Sequence, residues 1–140
     1  MVSEDQRTIL MADDDEEDRF FAKEALEASG TTAVLSAVED GIQLMDCLLR
    51  SSPPKSHKLP NLILLDLNMP RKDGREALVE IRAERKLKNI PIVILSTSQE
   101  EEDISFSMRA GADSFMTKPA TFEEWVGMMK SFAERWLGGV

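Results

Sequence analysis

The sequence predicts an α/β protein, an open sandwich of parallel strands covered by helices on both faces. Three observations carry this. Short apolar runs alternate five times with segments of helical spacing. Several runs are continuously apolar, as in strands buried on both sides of a parallel sheet. The 140 residues are enough for one such domain.

The first run, Thr8-Ile9-Leu10-Met11-Ala12, ends at Asp13. Asp15 to Ser29 opens with acids, carries Phe20, Phe21, Ala25 and Leu26, and stops at Gly30, a residue suited to a helix C-terminus. The second run, Val34 to Val38, precedes Glu39-Asp40-Gly41. Glu39 to Arg50 then places Ile42, Leu44, Met45, Leu48 and Leu49 on a helix that breaks at Pro53-Pro54. Ser51 to Pro60 is longer than the usual connection of about 2–6 residues, and its prolines suit an exposed loop. The third run, Leu62 to Leu65, ends at Asp66. Asp73-Gly74 marks the turn into a helix over Asp73 to Lys86, which carries Ala77, Leu78 and Ile81. The fourth run, Ile90 to Leu95, ends at Ser96, and Ser98 to Ala110 reads as a helix with Ser98 at its N-cap and Gly111 past its end. The last run, Ala112 to Thr117, ends at Lys118-Pro119. Pro119 to Leu137 carries a broad apolar stripe that includes Phe122, Trp125, Met129, Phe132 and Trp136.

Charge narrows the function. Aspartate and glutamate outnumber lysine and arginine 26 to 17, for a net charge of −9 at pH 7. Such a field repels nucleic-acid phosphates and anionic lipid headgroups, so neither is expected as a partner. No run reaches the roughly 18 apolar residues of a membrane span, and the N-terminus lacks a cationic start followed by an apolar stretch, so a cytoplasmic protein is expected. The single cysteine, Cys47, excludes an internal disulfide and reads as a buried small hydrophobe. The single histidine, His57, excludes a His-rich metal site and reads as an exposed loop residue. Any chemistry therefore falls to carboxylates, hydroxyls, amides, lysine and arginine.

Asp13 to Asp18 and Glu100 to Asp103 are unbroken acidic runs. A solvated helix start is the ordinary meaning of such a run, and Asp15 to Asp18 are read in that way, with no chemistry assigned. Asp13 and Asp14 differ because of where they stand. In an open parallel sheet, residues just past the carboxyl ends of strands share one crevice. Four of the five strand ends bring Asp13 and Asp14, Asp66, Ser96 and Lys118 into it, and the second brings nothing notable. Clustered carboxylates repel one another, and Mg²⁺, a hard cation favouring oxygen ligands, would compensate them. Asp14 and Asp66 would supply ligand oxygens, Asp13 would act directly or through water, and the backbone carbonyl of Asn68 would add another. Asp66 is then placed as a nucleophile toward phosphorus, with Lys118 pairing with a phosphoryl oxygen and Ser96 donating a hydrogen bond to one.

With these residues in place the chain resembles the response-regulator receiver domains of bacterial two-component signalling. The matching segments are Ile9 to Asp15, Leu64-Leu65-Asp66-Leu67-Asn68-Met69-Pro70 with Asp73-Gly74, Pro91 to Thr97, and Phe115-Met116-Thr117-Lys118-Pro119. They fall in the right order, and the resemblance covers essentially Arg7 to Leu137. The resemblance implies a flavodoxin-like doubly wound (βα)5 sandwich with strand order 2-1-3-4-5. It implies Asp66 as phosphoacceptor, Asp13 and Asp14 as the acidic pair holding Mg²⁺ (or Mn²⁺), and Ser96 and Phe115 as switch residues. Lys118 would be the site lysine, while Asn68 and Ser98 fall where the family tunes phosphorylation lifetimes. Phe115 stands where tyrosine is commoner.

The expectation is a single receiver domain over residues 1–140 with no output domain, acting as a phosphorylation switch and not as an enzyme with a separate substrate. Its partners would be a sensor histidine kinase or phosphotransfer protein and a downstream protein, with no nucleic acid and no membrane. The Ser51 to Pro60 extension and Ser96-Thr97-Ser98 resemble the stand-alone regulators paired with phytochrome-type kinases. Apolar residues left on the fourth and fifth helices point to a possible homodimer through the face formed by the fourth helix, fifth strand and fifth helix. Two rival readings use a similar residue set. A haloacid-dehalogenase-like phosphohydrolase would carry a second aspartate where this chain has Asn68, and a non-phosphorylated pseudo-receiver would not need the intact acidic set.

Overall fold

The structure is a computed structural model that describes residues 6–50 and 59–139. The elements follow one another as β1 (Thr8–Ala12), α1 (Glu16–Ala28), β2 (Val34–Val38), α2 (Gly41–Leu49), β3 (Leu62–Leu65), α3 (Gly74–Ala83), β4 (Ile92–Ser96), α4 (Glu101–Arg109), β5 (Ser114–Thr117) and α5 (Phe122–Trp136). All strand pairs are parallel, in the order β2-β1-β3-β4-β5. Among the described residues no helix is long and apolar enough to cross a membrane.

Side chains alternate across a strand, so each central strand feeds two cores. Leu10 and Ala12 of β1, Ile63 and Leu65 of β3, and Ile92 and Ile94 of β4 face one side and pack with Leu44 and Leu48 of α2 and Leu78 and Ile81 of α3. Ile9, Met11, Leu62, Leu64, Val93 and Leu95 face the other side and pack with Leu26 of α1 and Trp125, Met129 and Phe132 of α5. Continuous apolar runs are what two-sided burial demands. The helix α4 adds least to either core, since Ser107 is its one buried residue.

The helix starts are specified locally. Asp15, Asp40, Asp73 and Thr121 each accept a backbone N–H from three residues on, and Asp73 and Thr121 complete capping boxes with Glu76 and Glu124. Gly30 and Gly111, each just past a helix, adopt positive φ as expected of C-terminal glycines.

Four sequence expectations are corrected. The third helix stops at Ala83 and not Lys86, because Glu84 turns to an extended conformation and the following turn buries Leu87. The fourth strand begins at Ile92, since Pro91 has no N–H to give the ladder. Ser98 is not the N-cap of α4. That place is taken by Glu100, which makes no side-chain cap, while the Ser98 hydroxyl accepts from the Glu100 N–H at 3.2 Å and donates to Asp103 Oδ2 at 2.7 Å. Cys47 is exposed, because it lies on the solvent side of α2 between the core residues Leu44 and Leu48. His57 and most of the Ser51 to Pro60 loop lie outside the described residues.

At the end of β4 opposite the carboxyl ends, Arg82 ties three segments together. Its guanidinium donates to the carbonyls of Gly111 and Ile90, each at 2.8 Å, and to Asp113 Oδ2 at 3.0 Å.

Candidate functional site

Sheet hydrogen bonds continue one residue past the strands and anchor the candidate residues. The Asp13 N–H donates to the Val38 carbonyl, the Asp66 N–H to the Ala12 carbonyl, and the Lys118 N–H to the Ser96 carbonyl, each at 3.0 Å. The acidic side chains thus rise from the adjacent strands β1 and β3, and the lysine from β5 beyond β4, all at one edge of a single sheet.

Asp13 is 1% and Asp66 5% exposed, whereas Asp14 is exposed. One carboxylate oxygen from each of Asp13, Asp14 and Asp66 lies within 4.8 Å of the other two. The Asp15 N–H donates to Asp13 Oδ1 at 2.9 Å, and the Asn68 N–H donates to Asp66 Oδ1 at 3.3 Å. Lys118 Nζ forms an ion pair with Asp13 Oδ2 at 2.9 Å, out of line for a hydrogen bond, and that buried oxygen accepts no hydrogen bond among the described residues. The same ammonium is 3.4 Å from Asp66 Oδ2.

The electrostatics follow from burial and crowding. Burial, then the neighbouring Asp13 charge, raises the Asp66 carboxyl from an ordinary 3.8 to about 6 against the pull of Lys118 and the Asn68 N–H. Burial also raises Asp13, although the Asp15 N–H and Lys118 oppose it. Burial works against the Lys118 charge, but Asp13, Asp18 and Asp66 outweigh it and hold the ammonium above its ordinary value. Three convergent carboxylates, two of them buried, make a donor set that fits a hard divalent cation such as Mg²⁺ or Mn²⁺.

The other predicted residues surround this centre. Ser96 is fully buried at the end of β4, and its hydroxyl accepts the Ser98 N–H at 3.1 Å. Phe115 pairs with Ile94 across the β4–β5 ladder and packs, half-buried, against the core on the α2–α3 side. Asn68 is exposed on the loop after β3. Two close approaches shape that loop. The Gly74 N–H donates to the Leu67 carbonyl at 2.9 Å, and the Gly41 N–H donates to the Lys72 carbonyl at 2.9 Å. A Cβ on Gly74 would stand 2.8 Å from Leu67 Cα, so only glycine fits there. Buried Asp40 adds a charged tie, accepting from Arg71 Nε at 2.9 Å, and Arg71 takes a left-handed φ of 66° to reach it.

Sequence reasoning missed Asp18, which it left among solvated acids. The Asp18 carboxylate accepts a hydrogen bond from Lys118 Nζ at 2.9 Å, across 100 residues of chain. The signal was its place three residues after the Asp15 cap, in the helix turn nearest the strand ends. Beside it, the Arg19 guanidinium donates to the Asp13 carbonyl at 2.8 Å.

Comparison with known proteins follows the same lines. Residues 9–130 match the family described as response regulator receiver domain. The response regulator Rcp1 of Synechocystis is 35% identical over 131 residues, covering 94% of this chain and 89% of that protein. The crystal structure of the phosphorylated cyanobacterial phytochrome response regulator RcpA superposes with a TM-score of 0.85 at 36% identity, covering 96% of both chains. The crystal structure of the Mn²⁺-bound form of Rcp1 superposes with a TM-score of 0.82 at 35% identity, again covering 96% of both.

Proposed function

Because the chain belongs to the response regulator receiver domain family, the signalling switches of two-component systems, we propose that Asp66 is its phosphoacceptor. The observation that carries the proposal is the convergence of Asp13, Asp14 and Asp66 oxygens within 4.8 Å, with Lys118 Nζ 3.4 Å from Asp66.

Asp13, Asp14, Asp66 and the backbone carbonyl of Asn68 would hold Mg²⁺, with Mn²⁺ as a substitute; when bound, the ion supplies neutralisation of negative charge on the phosphoryl oxygens. A carboxylate oxygen of Asp66 forms a bond to phosphorus as the N–P bond of a partner phosphohistidine breaks, and the imidazole leaves with the bonding pair. Lys118 pairs with a phosphoryl oxygen, its charge held on by the surrounding carboxylates. The Ser96 hydroxyl gives up the Ser98 N–H and donates to a second phosphoryl oxygen. Phe115 then repacks, and the face of α4, β5 and α5 changes shape. Self-phosphotransfer from small phosphodonors and slow self-dephosphorylation belong to the same chemistry.

Residues 1–140 are read as one receiver domain working in the cytoplasm. The phosphodonor is a histidine kinase or phosphotransfer protein. The likeness to RcpA and Rcp1 supports a phytochrome-type kinase as the finer assignment. Exposed Ile104 and Met108 on α4 and Phe122 at the start of α5 support a homodimer through that face, which light scattering with and without beryllofluoride would test.

Incubation with acetyl phosphate and Mg²⁺, followed by intact-mass measurement, tests the central reading. Wild type should gain one acid-stable, base-labile phosphoryl group and Asp66→Asn none. An unmodified wild type that also ignores beryllofluoride would overturn it.

A further inference from the structure

Lys118 is shared unevenly. Its Nζ stands 2.9 Å from Asp13 Oδ2 and 2.9 Å from Asp18 Oδ2, but 3.4 Å from Asp66 Oδ2. Asp13 belongs to the carboxylate cluster that suits a metal, whereas Asp18 lies outside it. The aligned hydrogen bond at ordinary length goes to Asp18, and that to Asp66 is the longer.

Asp18 is held in place to do this. Its backbone N–H donates to the Asp15 cap at 3.0 Å, while the next residue, Arg19, reaches back to the Asp13 carbonyl. The first turn of α1 is therefore pinned to the site on both sides of Asp18. The Asp18 side chain is 23% exposed and that of Lys118 10%, so the pair stands at the edge of the pocket and keeps much of its attraction.

Resting on the reading of Asp66 as phosphoacceptor, we propose that Asp18 is a positioning residue that competes with Asp66 for the Lys118 ammonium and so weakens the hold on a phosphoryl group. An ammonium offers three donors, and each one spent on Asp18 is withheld from a phosphoryl oxygen. Removing the competitor frees the lysine to turn toward Asp66.

The test compares beryllofluoride affinity, with Mg²⁺, among wild type, Asp18→Asn, Asp18→Glu, Lys118→Met and the double variant Asp18→Asn/Lys118→Met. Asp18→Asn should bind about two- to fivefold tighter than wild type, the size of a partly exposed charge pair. Asp18→Glu, which restores the competing charge, should return toward wild type. In the Lys118→Met background, Asp18→Asn should change nothing, because no lysine remains to release. Unchanged or weaker binding by Asp18→Asn would overturn the proposal. Equal tightening in both backgrounds would also overturn it, since the charge would then act without the lysine. A crystal structure of metal-free Asp18→Asn gives a second readout, in which the separation of Lys118 Nζ and Asp66 Oδ2 should fall below 3.4 Å. A wild type that binds no beryllofluoride would overturn the phosphoacceptor reading instead, and the metal-free structure would still decide where the lysine turns.

Discussion

The Arg75 guanidinium donates a hydrogen bond to Asp103 Oδ1 at 2.6 Å, joining α3 to the first turn of α4. The other oxygen of Asp103 accepts the Ser98 hydroxyl, and Ser98 in turn bonds Ser96 through its N–H. A charged chain thus runs from α3 through α4 to the residue proposed as the switch hydroxyl. Arg75, then Ser98, holds the Asp103 carboxyl below its ordinary value. Its stabilisation is therefore present above the unfolded value near 3.8 and is lost as pH falls through the lower folded value. Arg75→Ala should speed hydrogen exchange of α4 amides about fivefold at low salt, with global stability falling by at most about 1 kcal/mol. The difference should shrink near 1 M salt; α4 exchange unchanged by the substitution would refute the tether.

Asp66 carries an opposite sign. Its folded value near 6 lies above the unfolded 3.8, so ionising it in the metal-free protein opposes folding. The shift corresponds to a penalty of up to about 3 kcal/mol above pH 6 that vanishes below the unfolded value. Asp66→Asn should therefore be the more stable protein in chelator at pH 7.5, and the two melting curves should converge toward pH 4. Added Mg²⁺ should stabilise wild type more than the variant. Equal melting temperatures at pH 7.5 without metal would contradict the burial and crowding described for this carboxylate.

Ser107 is fully buried in α4, and its hydroxyl has no hydrogen-bond partner among the described residues. Replacing it with alanine removes an unsatisfied group and improves helix propensity. Ser107→Ala should raise stability by roughly 1–2 kcal/mol, a few degrees in thermal melting. A loss of stability would mean that the hydroxyl is satisfied in solution.

Gly74→Ala should do the reverse. The added methyl would meet Leu67 Cα at 2.8 Å and the Asp66 carbonyl carbon at 2.9 Å, and backbone cannot swing aside as a side chain can. A loss of about 2–3 kcal/mol is expected from such overpacking. Where the variant still folds, acetyl phosphate labelling should slow, because the displaced backbone is that of Asp66 and its loop. Unchanged labelling and stability would show that the loop has room to move.

Much of this architecture was legible in residues with strong local meaning. Leu62 to Leu65 read as a doubly buried strand because no polar residue interrupts it, and Asp66, Ser96 and Lys118 read as site residues because each closes such a run. What escaped depended on contacts across the fold. Asp18 looks like any acid in a first helical turn until β5, 100 residues later, brings Lys118 beside it. Ser98 has the composition of a cap, but its hydroxyl is drawn to Asp103, and Asp103 is drawn to Arg75 from another helix. Cys47 sits among apolar neighbours in sequence, yet the helical rotation turns it outward. Periodicity reports which way a chain faces on average, and single residues answer to partners that local sequence does not contain.

The bond from the Lys118 N–H to the Ser96 carbonyl, on the last rung between β4 and β5, has a metric consequence. Strand spacing in a sheet is close to 4.8 Å and hardly yields, so the backbones that bear the hydroxyl and the ammonium form the fixed jaws of a caliper. Rearrangement at this end of the sheet therefore falls to side-chain torsions, four in the lysine and one in the serine, and not to the strands that carry them.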